Sequence, residues 1–302
     1  MNAQTFCRVA CLALSTGTVY AAHEPAEDIP GATLFAGPVI PRLRITLTEK
    51  DTAILRQNSR QDVPAIVQVG PETYERVAVH LKGSTGSFRP IDDKPGLTLN
   101  FNKLRPGQRF HGLSKIYLNN SVEDPSYLNE SIGSDLFRAA GVPAPRVTHA
   151  LVELNGRRRG LYVLKEGFAK EFLSLHFHNT TGNLYDIGIG HDVDEAMERD
   201  LGNGPDDRRD LLALAAAARE SDPAKRWEML CRVLNVERFL SFMAMELIAG
   251  HRDGYCLARN NFRVYHDLDT DRMVFLPHGM DQLFGRPDAT LRPAMAGLVA
   301  RA

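Results

Sequence analysis

Alternation of apolar and polar positions dominates the first half of the chain. It marks strands over residues 43–47, 65–69, 74–81, 97–101 and 115–118, because a half-buried strand turns successive side chains to opposite faces. Asp124 followed by Pro125 predicts a helix start, with Leu128, Ile132, Leu136 and Phe137 as its core-facing stripe and Gly141 as its end. Asn155-Gly156 between two apolar runs, 148–154 and 161–164, predicts a hairpin turn. Past about residue 166 the period changes. Helical patterns run over 169–175, 208–219, 224–233 and the apolar 236–249, which breaks at Gly250 before a short hairpin, 261–266 and 273–276. The pattern therefore predicts an α+β chain, with a β-rich small lobe at about 43–166 and a helical lobe at about 167–302.

Composition narrows the class without changing this picture. The chain has 302 residues, 43% hydrophobic and 24% charged, and a net charge of −1 from 36 basic and 37 acidic residues. That balance argues against a nucleic-acid binder relying on bulk positive charge. Near the N-terminus Arg8 precedes the apolar run Val9–Leu14, and Val19-Tyr20-Ala21 carries small residues at the positions a signal peptidase inspects. A signal peptide over 1–21 is expected, then a Pro/Ala/Gly-rich linker over 22–42 and one domain over 43–302. The apolar run is too short for a membrane span, so the expected location is secreted or in the cell envelope, with no transmembrane segment. Cys7 and Cys11 would leave with the signal, and Cys231 and Cys256 would remain as a disulfide or as two free thiols. No CxxC or HExxH spacing supports a zinc site.

The candidate chemistry lies after the apolar helix pattern. His251-Arg252-Asp253 is followed by Asn260-Asn261 and, beyond the hairpin, by Asp281. A carboxylate on a loop, an amide a few residues on and a second carboxylate after a hairpin match a pattern of phosphoryl transfer, while Asp253 and Asp281, each read alone, are ordinary turn residues. The first carboxylate orients the attacking hydroxyl, while the amide oxygen and the second carboxylate hold Mg²⁺ against phosphates. Position 258, where ordinary protein kinases place the amide, is Ala. Lys82-Gly83-Ser84-Thr85-Gly86-Ser87 follows a strand, and its backbone amides, with Ser84, are candidates to face phosphate. Asp192, Asp194, Glu195, Glu198 and Asp200 read as a solvated acidic segment, and Arg157-Arg158-Arg159 as a solvated hairpin tip.

The segments HLKGSTGSF, LNNSVEDPSYLNESIGSDLFRAAGVPAPR, VELNGRRRGLYVLKEGF, HRDGYCLARNNFRVYHD and FLPHGMDQLFG resemble the spore-coat protein H (CotH) kinase family over roughly residues 43–300. The resemblance implies an atypical protein-kinase-like, two-lobed fold and ATP-dependent phosphorylation of a protein substrate with Mg²⁺ or Mn²⁺. Carried over by position, Asp253 matches the catalytic Asp, Asn261 (with Asn260 as a one-residue alternative) the metal-binding Asn, and Asp281 the second metal ligand. Lys94 becomes the candidate phosphate-binding lysine, with Glu130 as its ion-pair partner, and Glu166 a candidate residue at the nucleotide-facing hinge. Gly279 stands where the family often has a first carboxylate. That departure keeps open a weak or inactive kinase-like surface or coat protein acting by binding partners, and transfer of AMP uses similar residues. Residues 291–302 begin a helical pattern where the family's sequences usually continue, so a truncated C-terminus is expected.

Overall fold

A computed structural model describes residues 29–186, 188–205, 207–285 and 293–302. The expected signal peptide lies outside the described residues. The chain is α+β. Its first half runs α1 (Ala32–Ala36), β1 (Arg42–Thr46), α2 (Glu49–Gln57), β2 (Val63–Val69), β3 (Glu72–Lys82), β4 (Gly96–Asn100), β5 (Lys115–Asn119), α3 (Asn129–Ala139), β6 (Val147–Leu154) and β7 (Arg157–Glu166). These seven strands close into a barrel in the order β1-β2-β3-β4-β5-β7-β6. Every neighbouring pair is antiparallel except the closing one, where β1 runs parallel to β6.

The barrel interior is apolar and filled from alternate positions: Val77, Val79 and Leu81 of β3, Leu97 and Leu99 of β4, Ile116 and Leu118 of β5, Tyr162 and Leu164 of β7. The intervening side chains of β3, β5 and β7 therefore stand on the outer face, a direct consequence of the two-residue strand period. This is the face that matters for chemistry.

The second half runs α4 (Lys170–His176), β8 (Leu184–Asp186), β9 (Glu198–Leu201), α5 (Arg209–Arg219), α6 (Pro223–Val233), α7 (Val236–Ile248), α8 (Tyr255–Ala258), β10 (Phe262–Asp267), β11 (Arg272–Pro277) and α9 (Leu298–Arg301). Its four strands form a separate sheet ordered β11-β10-β8-β9. One core joins helices to sheet through Leu211, Leu214, Phe239, Phe242, Tyr255 and Phe275. Cys231 and Cys256 are both free thiols. Among the described residues no helix is long and apolar enough to cross a membrane.

Four expectations need correction. The helix expected from Pro125 begins at Asn129, because Asp124 caps an irregular turn, accepting from Ser126 N (3.0 Å) and Asn129 N (2.9 Å). Of its expected core stripe Phe137 is buried as expected, but Leu128, Ile132 and Leu136 are exposed, and the buried face carries Glu130, Gly133 and Ser134 beside Phe137. The linker expected over 22–42 is docked where it is described, with Leu34 buried and Gly31 N donating to His111 O (2.6 Å). The acidic segment is not merely solvated. Asp192 is buried and accepts from Tyr255 OH (3.0 Å) and Leu298 N (2.7 Å), and Asp200 lies on a strand.

Candidate active site

On the outer face of the barrel, Lys82 ends β3, Asn119 ends β5 and Lys165 sits one residue before the end of β7. Gly96 lies opposite Lys82 in the register, and a Cβ there would come within 3.1 Å of Lys82 Cγ. The missing side chain lets Lys82 reach across β4, so that its ammonium donates to Asn119 Oδ1. Asn119 Nδ2 in turn donates to Glu130 Oε1 (2.8 Å), and the Lys165 ammonium lies against Glu130 Oε2, with both side chains sealed from solvent (0% and 1% exposed). Glu130 faces inward from α3 for this reason.

The ion-pair partner of Glu130 is thus Lys165, not Lys94. Lys94 lies before β4, where its ammonium donates to Tyr127 OH (2.7 Å) and stands over the Tyr127 and Tyr162 rings at 4.7 and 5.1 Å. Glu166 does end the last barrel strand, but its carboxylate is buried and held by Arg146 Nε (3.0 Å) and Nη2 (2.6 Å). That leaves it no free face for a nucleotide. Ser84 sits exposed in the glycine-containing loop, with its carbonyl accepting from Phe88 N (2.8 Å). Asn120 ties that loop to the site through Ser87 O (2.9 Å) and Lys94 O (3.0 Å). The signals for Lys82 and Lys165 were present in the sequence, as a lysine directly before a glycine-rich loop and a lysine inside a buried apolar run. Neither one, read locally, names its partner.

The helical half supplies the carboxylates. Gly250, at φ 67°, turns the chain out of α7, and Asp253 follows on the loop. Asn261, itself in the left-handed region at φ 50°, donates from Nδ2 to Asp253 O (3.1 Å) and Oδ2 (2.8 Å). Its Oδ1 packs against Gly279, where a Cβ would lie 2.2 Å from that oxygen. Asp281 comes two residues later and is tied to α3 through its carbonyl, which accepts from Asn129 Nδ2 (2.9 Å). The structure therefore brings Asp253, Asn261 and Gly279 into one contact chain and sets Asp281 beside the Glu130 cluster. Buried His251 reaches the same segment, its Nε2 3.2 Å from Gly279 O.

A cleft of about 380 Å³ opens here, lined by Glu123, Asn129, Arg252, Asp281, Gln282 and Phe284. Burial, with the negative charges of Glu130 and Glu123, pushes the Asp281 carboxyl up to about 6, against the pull of Lys82 and Lys165. Burial and neighbouring Lys165 push the Lys82 ammonium down to about 8, against Glu130 and Asp281. Burial also drives the His278 ring far down, with Lys165, Arg263 and Lys82 adding to it, so this ring stands neutral beside the cationic cluster. Among the described residues no group of three or more His, Cys, Asp or Glu gathers around a common point. Mg²⁺ needs no such cage, since one or two carboxylates plus substrate phosphates hold it. The donor chemistry of Asp281 and of the Asn261 amide oxygen, with Asp281 crowded by like charge, fits a hard cation arriving with phosphate.

The sequence profile described as CotH kinase protein matches residues 79–297. Inner spore coat protein H of Bacillus subtilis is 21% identical over 268 residues, covering 82% of this chain and 70% of that protein. Invasin CotH2 of Rhizopus delemar is 24% identical over 188 residues, 56% of this chain and 32% of the invasin. Spore coat protein homolog 1 of the same fungus is 22% identical over 267 residues, 82% of this chain and 42% of that protein. The chain thus spans less than half the length of either fungal relative.

Proposed function

The chain belongs to the CotH kinase protein family, and from that premise we propose that it is an extracytoplasmic, atypical protein kinase. It transfers the γ-phosphate of ATP to protein hydroxyl groups with Mg²⁺ or Mn²⁺. The observation that carries this reading is the meeting of two halves. The Lys82–Asn119–Glu130–Lys165 network from the barrel and α3 stands against Asp281, and Asp253 is oriented by Asn261 nearby. We read the barrel and the helical half as the two lobes of a kinase-like fold.

In this reading the Asp253 carboxylate accepts a hydrogen bond from the acceptor hydroxyl and takes its proton as the phosphoryl group arrives. Asn261 fixes the carboxylate's direction through its second oxygen. Asp281, with the Asn261 amide oxygen, would hold the divalent ion, which when bound neutralises charge on the β- and γ-phosphates. Lys82, whose side-chain hydrogen bond goes to a neutral amide oxygen, is the cation best placed to face phosphate, a role expected of Lys94. Lys165 is committed to Glu130 and keeps α3 in place.

Gly279, and relatives named as a coat protein and an invasin, favour a second reading, a kinase-like protein that binds partners without turnover. Labelled ATP with Mg²⁺ or Mn²⁺ decides between them. The kinase reading expects label in protein, lost in Asp253→Asn with ATP affinity kept, and lost together with metal-dependent ATP affinity in Asp281→Ala. ATP binding without label in any protein, this one included, favours the binding reading. Activity surviving both substitutions removes these residues from the site.

A further inference from the structure

Glu246 lies in the last turn of α7, a helix otherwise apolar around it, and is 0% exposed. A carboxylate there meets two penalties, desolvation and the negative end of the helix dipole. Its partners explain why it is there. Oε1 accepts from Tyr255 N (3.0 Å) and Oε2 from Cys256 N (2.8 Å), the first backbone amides after the loop that carries Asp253. His251 Nδ1 stands 3.4 Å from Oε1, and His251 N donates to the Glu246 carbonyl (2.7 Å). The loop is folded back on this one residue. Gly254 has no side chain at the crowded point, where a Cβ would lie 2.4 Å from Glu246 Oε1 and 2.6 Å from His251 Nδ1.

His251 carries the connection further. Its Nε2 reaches the Gly279 carbonyl, and its Nδ1 stands 3.4 Å from the Glu246 carboxylate without completing a hydrogen bond, so the ring lies between a carboxylate and a carbonyl. The groups facing it are Glu246 from α7, Asp253 from its own loop, and His278 and the Gly279 carbonyl from the segment after β11. Burial alone would push the ring down, but Glu246, the Gly279 carbonyl and Asp253 hold it above its ordinary value.

We infer that Glu246 is a positioning residue for the proposed phosphoryl transfer, fixing the 251–256 loop directly and the Gly279–Asp281 segment through His251. The inference rests on the kinase reading only for its kinetic consequence. Asp253 and Asp281 come from separate loops, and Glu246 is the buried group that touches the first loop and, through one ring, the second. Misplacement of a reacting group by about 1 Å costs about 10²-fold in rate.

Glu246→Gln keeps the shape and removes the charge, and its amide NH₂ would face a backbone N–H. Turnover should fall by about 10²-fold, and calorimetric affinity for Mg²⁺-ATP should weaken with it, because Asp281 stands on the segment that His251 holds. The alkaline limb of the turnover–pH profile should move to lower pH, because His251 gives up its proton earlier without Glu246. Gly254→Ala, whose added Cβ would press on Glu246 Oε1 and His251 Nδ1 together, should lower turnover and move the same limb. Independently of any phosphotransfer, Glu246→Gln should speed amide exchange at Tyr255 and Cys256 and lower the His251 titration midpoint seen by NMR. A folded Glu246→Gln protein with wild-type exchange at those amides and an unmoved His251 midpoint overturns the inference even if the enzyme is active. An inactive wild type with the expected exchange and titration changes sinks the kinase reading and leaves the positioning in place.

Discussion

At Gly279 the backbone sits at φ 51°, and any Cβ would press on the Asn261 amide. The residue that looked in the sequence like a lost metal ligand is therefore one that Asn261 leaves no room for. Gly279→Asp, which restores the family's usual carboxylate, should destabilise the protein by about 1–3 kcal/mol from backbone strain and crowding, with no gain in metal-dependent ATP binding. Chemical unfolding and calorimetry check the two halves of that statement. Asp281 gives the opposite sign. Its folded-state carboxyl titrates at about 6 against an ordinary 3.8, so the folded protein binds the extra proton. Stability is full below about pH 4 and falls as pH rises through 6, when the buried carboxylate must ionise. Asp281→Asn should therefore raise the melting temperature of the ligand-free protein at neutral pH, and the gain should vanish below about pH 4. A gain that persists in acid would assign the effect to packing rather than charge.

For elements, α3 separates what periodicity can tell from what it cannot. Six of the seven barrel strands appear in the sequence within a residue or two of their observed limits, because each has one apolar face, whereas β7 begins four residues before its expected start, at Arg157. In α3 the apolar stripe Leu128, Ile132 and Leu136 is exposed, since the helix must turn Glu130 toward Lys165 and Asn119. No local pattern reveals that demand, which comes from strands distant in sequence. Helix α2 shows no apolar stripe for a related reason: its sequence is mostly polar, and its start is marked by the cap, Thr48 Oγ1 accepting from Asp51 N (3.1 Å), and by Glu49 and Asp51 in its first turn. The corrected pairing is testable by stability alone. Lys165→Met leaves the Glu130 carboxylate buried without its cation and should cost about 3–5 kcal/mol. Lys94→Ala removes contacts with two tyrosine rings and should cost about 1 kcal/mol. If urea unfolding ranks the two the other way, Lys165 is not the partner on which α3 depends.

Over the whole molecule, Asp253, Asn261 and Asp281 were legible because a loop, a hairpin and a second loop keep them close along the chain. Lys82, Asn119 and Lys165 were not, because only barrel closure and the packing of α3 collect them. The contact between the halves was equally hidden. Arg263 on β10 is buried within the second sheet, donating to Asp200 Oδ2 of β9 (2.6 Å) and Asp186 Oδ2 of β8 (2.6 Å), with its guanidinium 4.7 Å from the Phe168 ring centroid. Lys115 of the barrel stands 3.5 Å from the other oxygen of Asp200. Burial alone would raise the Asp200 carboxyl, but Arg263 and Lys115 hold it below the ordinary range. Its contribution is therefore present above the unfolded value and lost as pH falls through the folded one. The acids are partly open to water, at 42% and 26% exposure, so Arg263→Met should cost about 3 kcal/mol, the lower end for a broken buried network. The loss should reach the junction through Asp200, the acid that Lys115 of the barrel also approaches. Urea unfolding of the wild type should follow one transition by fluorescence and by circular dichroism, and Arg263→Met should separate the two probes as the halves uncouple. Coincident probes and an unmoved midpoint in that variant would mean that apolar packing around Tyr117, Phe168 and Leu276 suffices to hold the halves together.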